Sequence, residues 1–431
     1  MNNLLNFLFI ILLMLFPLSG KAQQLSLQDC FEIGAKNYSD FKIQALKIEQ
    51  SQKAKRSIAS SFLPQIGISA SHSYNFGSSI NPSNNNREPS NIQSDNISID
   101  FRANLIDFSK WSENNIQNYD IEIEKWNYEI IEMQFQMLIL EKYMKALTLQ
   151  EWQKSMQNQV DNSNQTLKRI LDEVEQGKRP KSDAYDMQVI FLQETNDFEK
   201  VKADEHVAKL ELLQLINSQS FQANQMVMSF PEVFFYRDEN YTVNQNPSLQ
   251  KTNVSLLKNQ AEQKQLQNVY LPTLDFVYSY GTFYAQKINN LSDTNFQFQN
   301  QLKDNKSQFV GLSLYIPVFS KGNNSQKSKL KELDYTILKE EEIKEIKRLS
   351  DNLQIAKTKI SFLYEEQNRL IAIEEISEKA LETTASKYIF DKVDASNYKL
   401  AKNQLLQSQY NLLSNKIQFF SEIYQLELQF K

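Results

Sequence analysis

Two stretches of this chain, residues 111–176 and 323–431, contain neither glycine nor proline. A chain reverses direction where Gly supplies a positive φ or Pro fixes φ, so runs this long exclude a loop-rich globule and point to uninterrupted helices. At ~1.5 Å per residue the first run alone makes a helix of about 100 Å, beyond the span of an ordinary domain. The whole chain has only 8 Gly and 9 Pro among 431 residues, about 4% where ~12% is ordinary.

Both runs place apolar residues at alternating spacings of three and four. Ile123, Trp126, Ile130, Met133, Met137, Leu140, Met144 and Leu147 form one seam. Ile346, Leu349, Leu353, Ala356, Ile360 and Leu363 form a second, and Leu406, Tyr410, Leu413, Ile417, Phe420 and Tyr424 a third. Each could be the core stripe of a helical bundle, but the helix lengths favour a coiled coil.

The few Gly and Pro residues cluster around segments of a different period. In 64–76, 96–107, 272–284 and 308–318, apolar or aromatic residues alternate with small or polar ones. Ile66, Ile68, Ala70, Tyr74 and Phe76 alternate in this way with Gly67, Ser69, Ser71, Ser73 and Asn75. Period two over roughly ten residues describes strands with one apolar and one polar face, as in a membrane barrel wall. An ordinary two-hairpin sheet on a soluble core has the same period. The connecting segments, Ser78–Asp95 and Ala285–Lys306, are rich in Asn, Ser and Gln, as surface loops are.

Leu4 to Leu18 is almost wholly apolar and is followed by Ser19, Gly20, Lys21 and Ala22. This reads as a secretion signal over 1–22, although Lys and Arg are missing near its start. No later segment has enough consecutive apolar residues for a membrane-spanning helix.

The second half repeats the first. Phe62-Leu63-Pro64-Gln65-Ile66 matches Tyr270-Leu271-Pro272-Thr273-Leu274 at an offset of 208, and Phe108-Ser109-Lys110 matches Phe319-Ser320-Lys321 at 211. Gly177–Asp183 aligns with Asp391–Asn397 at 214. The expected plan is a first repeat over 23–218 with a helix turn at 176–182, and a linker over 219–246. A second repeat over 247–431 follows, with a turn at 389–396. In each repeat the helix before the strands, Leu25–Phe62 or Pro247–Tyr270, could stack on the returning helix. Four strands cannot close a membrane barrel, which needs about eight or more. Copies must therefore associate, and an open lumen favours three over two.

At this point the chain resembles the TolC family of outer-membrane efflux channels over 23–431. The resemblance rests on the duplicated Leu63-Pro64 and Leu271-Pro272 junctions and the segment Tyr315-Ile316-Pro317-Val318-Phe319-Ser320-Lys321-Gly322. The helix-turn segments Gly177–Asp183 and Tyr388-Ile389-Phe390-Asp391-Lys392-Val393 add to it. It implies a mainly α fold with a transmembrane β-barrel of about 12 strands, four from each chain of a homotrimer. Long antiparallel helices would form a periplasmic α-barrel. The implied function is the exit duct of a tripartite efflux or secretion system in the outer membrane of a Gram-negative bacterium. The duct would be embedded in outer-membrane lipid and driven by an inner-membrane transporter through a periplasmic adaptor. By the same resemblance the helix turns are the periplasmic tip gate. There Asp183 and Tyr388 fall where a closing hydrogen bond joins neighbouring helix pairs. Asn397 and Leu400 stand where some relatives carry aspartate rings, and Asp391 stands where glycine is common. Asp100 and Arg102 are expected to face the barrel lumen.

Other chemistry is not indicated. Neither phosphate-loop nor dinucleotide-binding glycine motifs occur. One Cys and two His exclude a Cys/His zinc cage, and the net charge of −5 gives no nucleic-acid footprint. Cys30 reads as a buried thiol, His206 as a packed or solvated side chain, His72 as a residue of the apolar strand face, and Glu340–Glu342 as a solvated helix face. No enzyme and no cofactor is expected. A type I protein-secretion duct shares the architecture, and a periplasmic coiled-coil scaffold or adaptor is the rival of another class. The paired strands argue against that rival.

Overall fold

The computed structural model describes residues 23–80, 82–89, 91–218, 221–230, 241–288, 297–319 and 322–430. The leader expected at 1–22 lies outside them, as do Ser320 and Lys321 of the repeated motif. In chain order the elements begin with β1 (Gln23–Leu25), α1 (Leu27–Asn37), α2 (Ser39–Ala54), α3 (Ile58–Ser61) and β2 (Gln65–Asn75). They continue with β3 (Ser78–Ile80), β4 (Arg87–Pro89), β5 (Ile92–Ile106), α4 (Phe108–Glu175), α5 (Lys181–Leu215) and β6 (Met226–Met228). The second half holds α6 (Pro247–Asn268), β7 (Thr273–Lys287), α7 (Phe298–Asp304), β8 (Ser307–Tyr315), α8 (Asn323–Ile389) and α9 (Ala395–Phe430). The first Gly- and Pro-free run falls almost wholly within a helix of 68 residues, and the second divides into helices of 67 and 36 residues.

The chain divides into two compact units. One comprises Met1–Leu46, Trp126–Gln250 and Ile343–Lys431, and its described residues are mainly helical, with the short parallel pair β1–β6. Its largest core joins Phe135, Ile139, Leu140, Tyr143 and Leu147 of α4 to Leu212 of α5, Cys30 of α1 and the β1–β6 pair. The buried face of α4 is wider than the seam read from the sequence. Met133 and Met137 are half-buried whereas Phe135, Ile139 and Tyr143 are buried, because this stretch of α4 packs against several neighbours. Gly34 permits the closest of these approaches: a Cβ there would lie 2.7 Å from the Phe135 ring.

The segment before the first strand is not one helix. It breaks at Tyr38, whose extended backbone sets its ring 4.0 Å from that of Phe135, and again between Ala54 and Ile58. Asn37 donates to the carbonyls of Ile216 and Asn217 just past the end of α5, and Asn246 donates to that of Gln429 near the end of α9. The two asparagines thus stand in like positions, shortly before α2 and just before α6. The linker holds a strand unforeseen in the sequence, β6. Tyr143 Oη donates to the carbonyls of Leu25 and Ser229, and the Gln150 amide brackets the backbone of Met228.

The other unit comprises Lys47–Lys125 and Lys251–Glu342. It holds a four-stranded antiparallel sheet in the order β2–β5–β7–β8. β8 stops at Tyr315, short of the expected 318, because Pro317 has no N–H for a ladder. The β2–β5 loop contains the small pair β3–β4, and α7 lies in the β7–β8 connection.

Candidate functional site

Two places carry the sequence-derived candidates: the faces of the sheet and the pair of helix turns.

Strand register aligns the alternating residues into two unlike faces. Ile66 lies opposite Phe101, which lies opposite Tyr278, which lies opposite Val310. On one side Ala103, Phe276 and Leu312 align, and on the other Ile68, Ile99 and Tyr280 with Gln308 at the β8 edge, so one face is largely apolar. The other face sets Gly67 against Asp100 and Ser279, and Ser69 against Ser98. The apolar face is open in the single chain, Ile68 being 77% exposed and Leu312 67%. Among the described residues no helix is long and apolar enough to cross a membrane.

Asp100 and Arg102 both lie on the polar face. The Asp100 carboxylate accepts hydroxyls from Ser279 at 2.7 Å and Ser98 at 2.9 Å. Arg102 helps to line a recess of about 550 Å³ that also takes in Arg56, Lys110 and Glu113. His72 lies on the apolar face but not in apolar company: its Nδ1 is 2.5 Å from the Asp95 carboxylate directly across the ladder.

The two helix turns share one geometry. After α4, Gly177 at φ 68° donates to the carbonyl of Val174, and Lys178 donates to that of Glu173. After α8, Asp391 at φ 57° donates to Tyr388, and Lys392 donates to Lys387. This is the Schellman ending, built once on glycine and once on aspartate. Pro180 then caps α5, and Asp394 accepts the Asn397 N–H at the start of α9. The Asn397 side-chain amide also donates to Asp394, so this exposed residue serves its own cap.

Arg179 ties the turns together. Its side chain is 4% exposed and donates through Nη2 to the carbonyls of Tyr388 at 2.6 Å and Ile389 at 3.1 Å. It thereby satisfies orphan carbonyls in the last turn of α8. The same guanidinium pairs with Glu173 at 2.7 Å and Asp183 at 3.3 Å. Its Cζ stands 5.3 Å from the centre of the Tyr388 ring, and that ring stacks on Tyr398 at 4.9 Å. Asp183 and Tyr388 thus meet through Arg179. The Tyr388 hydroxyl is buried without a hydrogen-bond partner, and burial pushes it up to about 12.

Beyond the turns lies a second polar knot that no sequence motif marks. Lys402 of α9 donates to the Glu194 carboxylate of α5 at 2.7 Å and 3.0 Å, and both residues are buried. Ser163 of α4, fully buried, joins them, donating to Glu194 and accepting from Lys402. Gln159 adds a further bond to Glu194 at 2.8 Å. Burial holds the Lys402 ammonium below the ordinary lysine range, against the pull of Glu194.

No protein-family model matches the sequence, and no curated protein sequence matches it. Solved structures do. The Campylobacter jejuni CmeC outer membrane channel superposes with a TM-score of 0.73 at 15% identity, covering 94% of this chain and 85% of that one. The outer membrane protein VceC of Vibrio cholerae gives 0.72 at 13% identity, with 93% and 94% covered. The outer-membrane channel OprN gives 0.76 at 11% identity, with 94% and 89% covered.

Proposed function

We propose that this chain, which has the fold of TolC-type outer-membrane channels, is one of three copies that together form an export duct. The observation that carries the reading is the four-stranded sheet, two-faced and open at both edges. β2 and β8 each have one neighbour in the ladder, which leaves a row of backbone donors and acceptors unpaired on each. In hydrocarbon such edges are untenable, so they must pair with other copies. Three copies supply about 12 strands, enough to leave a water-filled interior. The apolar face then meets lipid, and the serine-rich face with Asp100 and Arg102 lines the path.

In this reading the protein lies in an outer membrane, with its helical unit in the periplasm. It supplies a passage and performs no chemistry. The energy comes from an inner-membrane transporter coupled through a periplasmic adaptor. The paired helix turns are the gate. Arg179 holds the second turn to the first, Asp183 and Glu173 neutralise it, and Tyr388 is the surface on which it rests. Asn397, which donates to the α9 cap Asp394, belongs to the rim.

Membrane fractionation with chemical crosslinking tests the proposal. An outer-membrane species that crosslinks to a trimer is expected. A monomer in the soluble periplasmic fraction overturns it.

A further inference from the structure

The apolar face of the sheet changes character partway along its strands, and the register locates the change. Starting at Leu274, opposite Leu314, each step of two residues along β7 as far as Tyr280 brings another largely apolar row into line, with Gln308 at the β8 end of the Tyr280 row. The step beyond sets Ala70 opposite Ile97 and Ile97 opposite Thr282, whose hydroxyl donates to the carbonyl of Leu302. The next row sets His72 opposite Asp95 and Asp95 opposite Tyr284, with the imidazole and carboxylate 2.5 Å apart. One row further, Tyr74 faces Gln93 and Gln93 faces Gln286. Tyr284 turns its hydroxyl to Gln286 and its ring to Phe298, at 5.0 Å. The face that is aliphatic and aromatic below is therefore ionisable and hydrogen-bonding above, in register across three strands.

Four two-residue steps cover about 27 Å along a strand at ~3.4 Å per residue. A strand tilt of 35–45° shortens this to about 20 Å of height, close to the ~25 Å apolar band of a membrane barrel. Beyond Ile106, past the other end of the sheet, Trp111 sits 5.4 Å from Phe62 and 5.7 Å from Phe108. Aromatic residues of this kind concentrate at membrane–water interfaces.

We propose that the row His72–Asp95–Tyr284 lies at the level of the lipid headgroups on the loop side of the sheet, with hydrocarbon below it. This inference rests on the membrane reading of the sheet and fixes its depth. A charged pair facing hydrocarbon is strongly disfavoured at the midplane and nearly free at the interface. An exposed His–carboxylate pair beside two tyrosines is the composition of an interface. The row therefore sets how far the barrel sinks. The loops, with the β3–β4 pair and α7, stand beyond the hydrocarbon.

The test uses the full chain with Trp111, Trp126 and Trp152 replaced by Phe and one reporter added, Tyr278→Trp or Tyr284→Trp. Each variant is placed in phosphatidylcholine bilayers brominated at a shallow or a deep acyl carbon. The expected result is strongest quenching of the first reporter by deep bromine and of the second by shallow bromine. Replacing His72 and Asp95 together by Leu should move the second reporter toward deep quenching. Equal depth for the two reporters overturns the boundary while leaving the membrane reading intact. No lipid quenching of either reporter overturns the membrane reading itself. Should the tryptophan changes impair folding, spin labels at Thr282→Cys and Gln286→Cys report the same boundary. Oxygen access should be higher at 282 and nickel-chelate access higher at 286, and the reverse order overturns the proposal.

Discussion

Arg179 sits where four acceptors converge, and the cost of removing it follows from what is left behind. Arg179→Ala strands two carbonyls of α8 and frees Glu173 and Asp183 to repel one another. Removing one member of a buried ion pair in this way costs about 3–5 kcal/mol. Chemical denaturation should show that loss, and planar-bilayer recordings should show higher conductance as the turns part. Arg179→Lys should recover only part of it, since one ammonium cannot span both carbonyls and both carboxylates. Tyr388 separates ring from hydroxyl. Tyr388→Phe should be neutral or slightly stabilising, because the buried hydroxyl has no partner to lose. Tyr388→Ala should cost about 3–5 kcal/mol through the cavity it leaves. A loss of stability or a rise in conductance in Tyr388→Phe would show the hydroxyl bonded in the assembled protein.

The same hydroxyl gives a signed pH dependence. Its folded value of about 12 lies above the ordinary 10.0, so the folded state holds this proton more tightly than the unfolded chain. Its contribution is complete below pH 10 and fades as pH rises from 10 toward 12. Stability measured across that window should fall less steeply in Tyr388→Phe than in the parent. Asp183 and Tyr388 were singled out in the sequence through resemblance, and both lie at the helix turns. Arg179 was not singled out, because its bonds go to carbonyls 209 and 210 positions away, and a backbone acceptor leaves no mark in a sequence.

At the scale of elements, the two turns form a matched experiment. Asp391 adopts the left-handed conformation that Gly177 adopts without strain, and a side chain there costs roughly 1–2 kcal/mol. Asp391→Gly should therefore raise the unfolding midpoint. Its contact with Arg179, at 3.8 Å and with the carboxylate 71% exposed, is too weak and too wet to offset the gain. Gly177→Ala should lower the midpoint by a similar amount. The α4–α5–α9 contact behaves differently. Glu194→Gln or Lys402→Met alone should cost about 3–5 kcal/mol, whereas Glu194→Leu with Lys402→Met should restore much of it, as replaced buried pairs do. Double-mutant denaturation decides whether the pair contributes stability or only alignment.

Helices and strands were legible for a simple reason: period two and period 3.5 are local, and Gly and Pro punctuate them. The breaks at Tyr38 and before Ile58 were not, because no Gly or Pro marks them. Tyr38 leaves the helix to stack on a ring almost a hundred residues away. β6 escaped for the same cause, since a three-residue strand has no period to read, and side chains of α4 hold its backbone.

At the scale of the whole molecule, the sheet gives one further contrast. Ile99 and Ser98 are adjacent in β5 and face opposite ways. Ile99→Asp puts a carboxylate on the apolar face near mid-strand and should remove the trimer from the outer-membrane fraction. Ser98→Asp adds the same charge to the polar face and should leave assembly intact. The number of copies could be argued from the sequence only through the count of strands. In the proposed membrane setting the outer edges of β2 and β8, open among the described residues, call for partners, since unpaired backbone cannot rest in lipid.

The strand order carries a last consequence. The joint inside the chain, β5 with β7, links the second strand of one repeat to the first strand of the next. A joint between chains, β8 with the β2 of a neighbour, links the same two kinds of strand. Covalent connectivity therefore makes no difference to the wall: three chains would build a ring of six near-equivalent hairpins. A chain severed within the linker could still close that ring from half-length pieces. Threefold character would then reside in what the repeats do not share: the β3–β4 pair, α7, and the aspartate that stands in for a glycine.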